Sequence, residues 1–290
     1  MGLRLKFNLV LLAVFGLGLL ASGYLSYTLL ERNARDEVSH HAGLMMETAL
    51  AIRGYTIEQV RPQLDLQLMR VFLPQSVPAY AATETLTTLR KKYADYTYKE
   101  ATINPTNPRN RAGDWENDII RIFRDRPDTG EIVGERDTPN GRALYIARPI
   151  QIKNPACLTC HSTPEAAPAT MLKLYGTANG FGWKHNEIVG AQIVSVPMAV
   201  PIGNARRAFL TFMASLAAVF ALAFVALNVM LTHIIVRPVA RMSQAADQIS
   251  VGNFEVPEFA ETGRDEIAQL GRAFNRMRRS LQTAMKMIGA

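Results

Sequence analysis

The sequence predicts an α+β protein carried on two membrane-crossing helices, and three observations lead there. Two runs without a formal charge, Phe7 to Leu30 and Ala208 to Val236, are 24 and 29 residues long. At about 1.5 Å of rise per residue, either run exceeds the roughly 30 Å hydrocarbon core of a bilayer. Between them, helical periodicity gives way to short β-branched runs separated by glycine and asparagine turns. Beyond the second run, apolar residues recur at the alternating spacings of three and four that mark a coiled-coil seam. The chain is 48% apolar and 20% charged, ordinary values for a soluble protein, so it is the uneven distribution of the apolar residues that points to the membrane.

The second run is too long and too uniformly apolar for a buried core helix. The first has a rival reading, because Arg4 and Lys6 followed by an apolar stretch and "LLASG" also suit a cleavable signal. Its continuation past Gly23 as "YLSYTLL" favours an uncleaved anchor. Arg4 and Lys6 place the N-terminus in the cytoplasm of a bacterial inner (plasma) membrane. The expected division is a cytoplasmic N-terminus at 1–6, a first span at 7–30, a periplasmic domain at 31–207, a second span at 208–235, a cytoplasmic helical pair at 236–286 and a tail at 287–290. The net charge of +7 comes from residues spread over membrane flanks and helices. No basic stripe is interleaved with aromatics, so nucleic acid is not an expected partner.

In the outer segment, residues 31–72 read as a helix leaving the membrane. Val38, Ala42, Met45, Ala49 and Ile52 recur at spacings of 4, 3, 4 and 3, the seam of a helix pair or dimer. A second helix is expected from near Thr83, and a third in "DWENDIIRIFRD" with Asp114 as its cap. Strands follow in "GEIVGER", "RALYIARPI" and "EIVGAQIVSVPM".

Both cysteines of the chain lie in "NPACLTCHSTP", residues 154–164. Zinc would need two further ligands, and His161 is badly placed to be one of them. A thiol–disulfide exchange site normally follows an apolar strand, whereas here the lead-in is the polar turn "QIKNPA". A disulfide within a turn is the plainest alternative. Covalent c-type haem uses every part of the pentapeptide: Cys157 and Cys160 meet the two vinyl groups, and His161 falls under the iron. One motif implies one haem c per chain.

The order "VPAYAATETLTTLRKKYADYTYKEATINPTNPRNRAGDWE", "ALYIARPI", "CLTCH", "YGTANGFGW", "EIVGAQIVSVPM" resembles the periplasmic single-haem sensor family, a domain of unknown function with a PAS-like sheet, over roughly residues 40–200. The resemblance implies covalent haem at Cys157 and Cys160 with His161 as proximal ligand. Members differ in the other axial ligand, some using a cysteine from the N-terminal helical region, and this chain has no third cysteine. Side-chain chemistry leaves Met69, Met171, His185 and the pair His40 and His41, with Met69 in the matching part of the chain. An open sixth position is the alternative. Arg148, just before the haem loop, is a candidate partner for a haem propionate.

Residues 232–285 resemble a HAMP linker. Pro238 opens its first helix, on which Met242, Ala246 and Ile249 form the seam, and Gly252 ends it. Ile267, Leu270, Phe274, Met277 and Leu281 continue the pattern on a second helix. One helix pair cannot bury both seams, so a homodimer through this segment and the membrane helices is implied. Only five residues follow Met285. The output is therefore expected on a separate cytoplasmic signalling protein, a histidine kinase or chemoreceptor component. The expected function is a non-enzymatic, membrane-anchored haem sensor of redox state or a small ligand. A membrane-tethered electron carrier is the alternative, but it has no use for a HAMP segment. A haem peroxidase lacks an evident distal acid–base pair.

Overall fold

The computed structural model describes residues 2–260 and 263–288, in two compact units. One comprises residues 28–208; the other comprises 1–27 together with 209–290. Helix α1 (Leu3–Tyr55) contributes to both.

Within residues 28–208, α1 ends in a π turn at Thr56–Val60 and a 3-10 turn at Arg61–Leu64, followed by the single-turn α2 (Asp65–Leu68). Helix α3 (Pro78–Arg90) precedes β1 (Thr97–Thr102), and α4 (Asp114–Asp125) precedes the hairpin of β2 (Ile132–Thr138) and β3 (Gly141–Gln151). After the short helices α5 (Leu158–His161) and α6 (Ala169–Tyr175), the chain returns as β4 (Ile188–Pro197). The four strands form one antiparallel sheet in the order β1-β4-β3-β2. Strands β3 and β4 are neighbours in space, so everything from residue 152 to 187 is an excursion out of the sheet between two paired strands.

Both faces of the sheet are covered, and strand alternation decides which side chain goes where. On one face Tyr98, Leu144, Ile146, Val194 and Val196 pack against Val38, Ala42, Met45, Met46 and Ala49 of α1 and against Ala82 and Leu86 of α3. On the other, Ala101, Ala147, Ala191 and Ile193 meet Ile119, Ile120 and Phe123 of α4. Strand β4 is buried on both sides, which explains its nearly continuous apolar run.

Three expectations need correction. The apolar seam of α1 shares its core with the chain's own sheet and with Ala82 and Leu86 of α3, in place of a single partner helix along its length. Helix α3 begins at Pro78, five residues before Thr83, because proline's fixed φ suits the first helical position. Asp114 is the first residue of α4; the N-cap is Gly113, whose N–H donates to Glu116 Oε2 at 2.7 Å.

Strand β1 was not foreseen. Its sequence, TYKEAT, is too polar to suggest a strand, yet each charge finds a partner on its own face of the sheet. Lys99 Nζ donates to Glu116 of α4 at 2.6 Å, and Glu100 accepts from Arg53 of α1 at 2.5 and 2.6 Å.

Helix α7 (Ala199–Met230) likewise contributes to both units; in the other unit it runs into a π turn at Leu231–Val236 and then α8 (Arg237–Ser250), and α9 (Glu266–Ile288) is the last described helix. Among the described residues, two helical stretches, starting at Leu3 and Ala199, are long and apolar enough to cross a membrane. Small residues let them approach: a Cβ on Gly18 would lie 3.5 Å from the Phe220 ring, and one on Gly23 would lie 3.3 Å from Met213 Cε.

Helix α8 buries Met242, Ala245 and Ile249, one residue off the expected seam at Ala246, which is half-buried. The connector between α8 and α9 is fastened by Asn275. Its side chain accepts from Phe259 N–H at 3.1 Å and donates to Phe259 O at 2.9 Å. Residues 261 and 262 of the expected connector lie outside the described residues, as do 289 and 290 of the tail. A cleft of about 320 Å³ between α8 and α9 is lined by Ala246, Ile249, Phe254, Met277, Leu281 and Met285.

Candidate functional site

The excursion between β3 and β4 is closed at its neck by backbone bonds. Ile152 N–H donates to Glu187 O, and Asn186 N–H donates to Ile152 O, both at 2.9 Å. Just beyond, the side chain of Asn154 accepts from Ala156 N–H at 2.9 Å, and Pro155 opens a 3-10 turn that leads directly into α5. This local geometry sets Cys157 and Cys160 one turn apart, on the same side of the helix. Both thiols are free and half-exposed. Burial raises the pKa of Cys160, partly offset by the charge of Arg61.

His161 is the most constrained side chain of the group. Its ring stacks on Trp183 with centroids 4.0 Å apart and planes 15° apart. Its Nδ1 lies 2.8 Å from the carbonyl oxygen of Gly180, with Thr106 Oγ1 at 3.4 Å. A carbonyl oxygen can only accept, so Nδ1 carries the proton and donates. Burial lowers the pKa of His161 below the usual imidazole range, with the Gly180 bond opposing it. The result is a neutral ring whose Nε2 keeps its lone pair, the form in which histidine binds a metal.

The carbonyl that orients His161 belongs to a loop that only glycine can form. Gly180 has φ +86°, and a Cβ there would lie 2.1 Å from Thr106 Oγ1 and 2.8 Å from Thr106 Cα. The loop also pairs with the motif itself: Gly182 N–H donates to Ser162 O at 2.8 Å, and Trp183 N–H to His161 O at 3.2 Å. From the other side, Asn104 holds Gly180 and Phe181 through its side-chain amide.

The remaining candidates are spread out. Met69 caps α2 and is 80% exposed, so it is not a core methionine. Its segment nevertheless neighbours the motif. Arg61, upstream, acts on Cys160, and Phe72, downstream, packs edge-on against Tyr175 of α6 at 6.1 Å. Met171 is buried in α6, His185 is exposed in the turn before β4, and His40 and His41 lie on α1. Arg148 lies on an inner strand, where its guanidinium donates to Glu47 of α1 and to Glu131, each at 2.8 Å. It ties the sheet to α1. Arg53, whose charge acts on Cys157, and Arg61, which acts on Cys160, both lie close to the motif.

Four residues of the site escaped the sequence. Gly180 and Trp183 lie in the quoted "YGTANGFGW" stretch, but no pattern there says which glycine needs a positive φ or which aromatic faces the imidazole. Asn104 and Thr106 follow the unforeseen β1.

With a helix-covered antiparallel sheet, a Cys–Cys–His turn mounted between its central strands and two candidate membrane helices described, the comparisons with known proteins follow the same division. Residues 31–197, more than half of the chain, match the Tll0287-like family, and the chain belongs to it. Residues 230–283 match the HAMP domain. The Heme sensor protein HssS of Staphylococcus aureus, in strains JH9 and Newman, is 35% identical over 88 residues, 30% of this chain and 19% of that protein. The match thus spans about a fifth of the length of these curated relatives. The crystal structure of the cyanobacterial heme-protein Tll0287 superposes with a TM-score of 0.43 at 12% identity, covering 56% of this chain and 95% of that one.

Proposed function

We propose that this protein is a membrane-anchored c-type haem sensor that passes the state of its iron through the HAMP segment to a separate cytoplasmic signalling protein. One observation carries the reading. Cys157, Cys160 and His161 share a single turn, and His161 Nδ1 faces the Gly180 carbonyl oxygen at 2.8 Å, which leaves Nε2 as the ring nitrogen available to a metal.

The residues fit the group. Cys157 and Cys160 would each add a thiol across a haem vinyl group, the sulfur bonding one carbon and the proton going to the other, and His161 Nε2 would ligate the iron. When bound, haem supplies an iron centre whose oxidation state and sixth ligand can change. The chain's own part is to anchor, orient and report. Met69 is the proposed sixth ligand, supported by its position between Arg61 and Phe72. Arg148 would have to release Glu47 or Glu131 to meet a propionate, whereas Arg61 makes no ion pair among the described residues. The name of the curated relative, a heme sensor, agrees with haem as the cofactor.

Two helices long and apolar enough to cross a membrane, on either side of the site domain and with Arg4 and Lys6 at the start of the first, support a periplasmic site domain with both termini in the cytoplasm of the inner membrane. The HAMP segment supports a signal transducer over an electron carrier, and its exposed apolar residues support a homodimer. The partner that fits is a histidine kinase or chemoreceptor component.

The decisive test is haem retention. Full-length protein purified from a host with c-type maturation machinery should keep its haem through acidic acetone and through a denaturing gel. Cys157→Ala with Cys160→Ala should lose it in both. Loss of haem from the native protein would overturn the covalent assignment.

A further inference from the structure

We infer that Asn104 is a positioning residue for the axial imidazole of His161, acting through the Gly180–Phe181 peptide. The inference rests on the haem reading above and adds a residue to that site. Asn104 lies two residues past the end of β1, far from His161 in sequence but beside its loop in space. Its side-chain amide brackets one peptide bond: Oδ1 accepts from Gly180 N–H at 3.1 Å, and Nδ2 donates to Phe181 O at 3.3 Å. The carbonyl between those two groups is the one that accepts from His161 Nδ1 at 2.8 Å.

The peptide therefore has little freedom to turn away. Asn104 holds it on both sides, and the left-handed Gly180 is wedged against Thr106. The imidazole's other constraints are Trp183, which fixes the ring plane, and Thr106, farther from Nδ1 than the carbonyl. None of these replaces the carbonyl as acceptor. A partner that accepts from the far nitrogen of a metal-bound histidine fixes its rotation and raises its basicity. A more basic imidazole donates more strongly to iron and favours the oxidised state. Asn104 thus sets, at one remove, how firmly and at what angle His161 holds the iron. It anchors the haem ligand to β1, the strand that also carries Glu100 against Arg53 of α1.

The test uses full-length protein with Asn104→Ala and, should that variant fold poorly, Asn104→Ser, which is also too short to bracket the peptide. Asn104→Gln keeps the amide. Haem per chain should stay at the wild-type level in all three. In the Ala and Ser variants the reduction potential should rise and the g values of the ferric haem should move, with partial return in the Gln variant. Wild-type potential and g values in the short variants would overturn the inference. So would a shifted potential with unchanged g values, which would mark a distant electrostatic change. Failure of both short variants to fold, at equal expression, would assign Asn104 to loop stability and overturn it too. Wild-type protein without haem, or without imidazole ligation, would instead overturn the haem reading, and it shows before any variant is made.

Discussion

Arg53 of α1 grips Glu100 of β1 through both carboxylate oxygens, at 2.5 and 2.6 Å, and Tyr98 donates its hydroxyl to the same carboxylate at 2.8 Å. Glu100 is 4% exposed. Removing Arg53 strands a buried charge, which costs about 3–5 kcal/mol when a buried pair is broken from one side. Arg53→Ala should therefore lower the urea midpoint of the full-length protein sharply. The double variant Arg53→Met with Glu100→Leu, which removes both charges and keeps the volume, should recover most of the loss. Equal destabilisation in the single and double variants would mean that packing, and not the charge pair, holds α1 to the sheet.

The same cluster makes a pH prediction. Burial, then the negative charge of Glu100, raises the pKa of Tyr98 far above its ordinary value of about 10. The folded state thus keeps a neutral phenol while the unfolded chain begins to ionise. The contribution is complete below about pH 10 and falls as pH rises beyond it. The urea midpoint should decline more steeply between pH 9 and 11 in the wild type than in Tyr98→Phe; parallel curves would contradict the assignment.

Glycines of the haem loop should differ in what they tolerate. Gly176, Gly180 and Gly182 all have positive φ, but a Cβ meets nothing within 4 Å at Gly176 or Gly182. Alanine at either position pays a positive-φ backbone cost alone, of order 1–3 kcal/mol and the larger at Gly176, whose ψ of −170° suits essentially only glycine. At Gly180 it also strikes Thr106, so Gly180→Ala should destabilise by more and displace the carbonyl that orients His161. Absorption spectra and urea melts of the three variants would separate the effects. Similar behaviour of all three would remove Gly180 from the site.

Met69 offers a clean separation of roles. Because it is 80% exposed, Met69→Ala should change stability by no more than about 0.5 kcal/mol. As sixth ligand, its removal should alter the ferrous and ferric spectra. Unchanged spectra in both oxidation states would leave the sixth position open or held by another group.

The parts of this molecule that could be read from the sequence are those whose signal is local. The two apolar runs and the Cys–Cys–His spacing are contiguous patterns, and they fold locally as long helices and a single turn, whereas the α8 seam expected at Ala246 is met at Ala245. Strand β1 was invisible because Lys99 and Glu100 are neutralised by Glu116 and Arg53, residues 17 and 47 positions away. Asn104 and Thr106 were lost with it. The α1 seam was legible as an apolar stripe, but Val38 and Met46 share their core with Leu144 and Val194, distant in sequence, and periodicity cannot say whose surface a stripe meets. Helix boundaries erred where proline and glycine set the cap, at Pro78 and Gly113.

The last prediction concerns the cytoplasmic helix pair. Leu270, Met277, Leu281 and Met285 remain exposed on α9, and Met277, Leu281 and Met285 line an apolar cleft with Ile249 of α8. Phe274, by contrast, is engaged within its own chain, edge-on to Phe259 at 5.4 Å. Charge at Met277 or Leu281 should therefore abolish dimerisation while sparing the monomer's fold, whereas Phe274→Glu should damage both. Single cysteines at Met277 or Leu281 should crosslink between chains. If iron state biases this bundle by about 1–3 kcal/mol, a typical coupling free energy, the two-state populations change five- to 150-fold. Crosslinking rates should then differ between oxidised and reduced protein, and the difference should disappear in His161→Ala. Efficient crosslinking at the same rate in both states would keep the dimer, uncouple it from the haem and favour the tethered electron carrier.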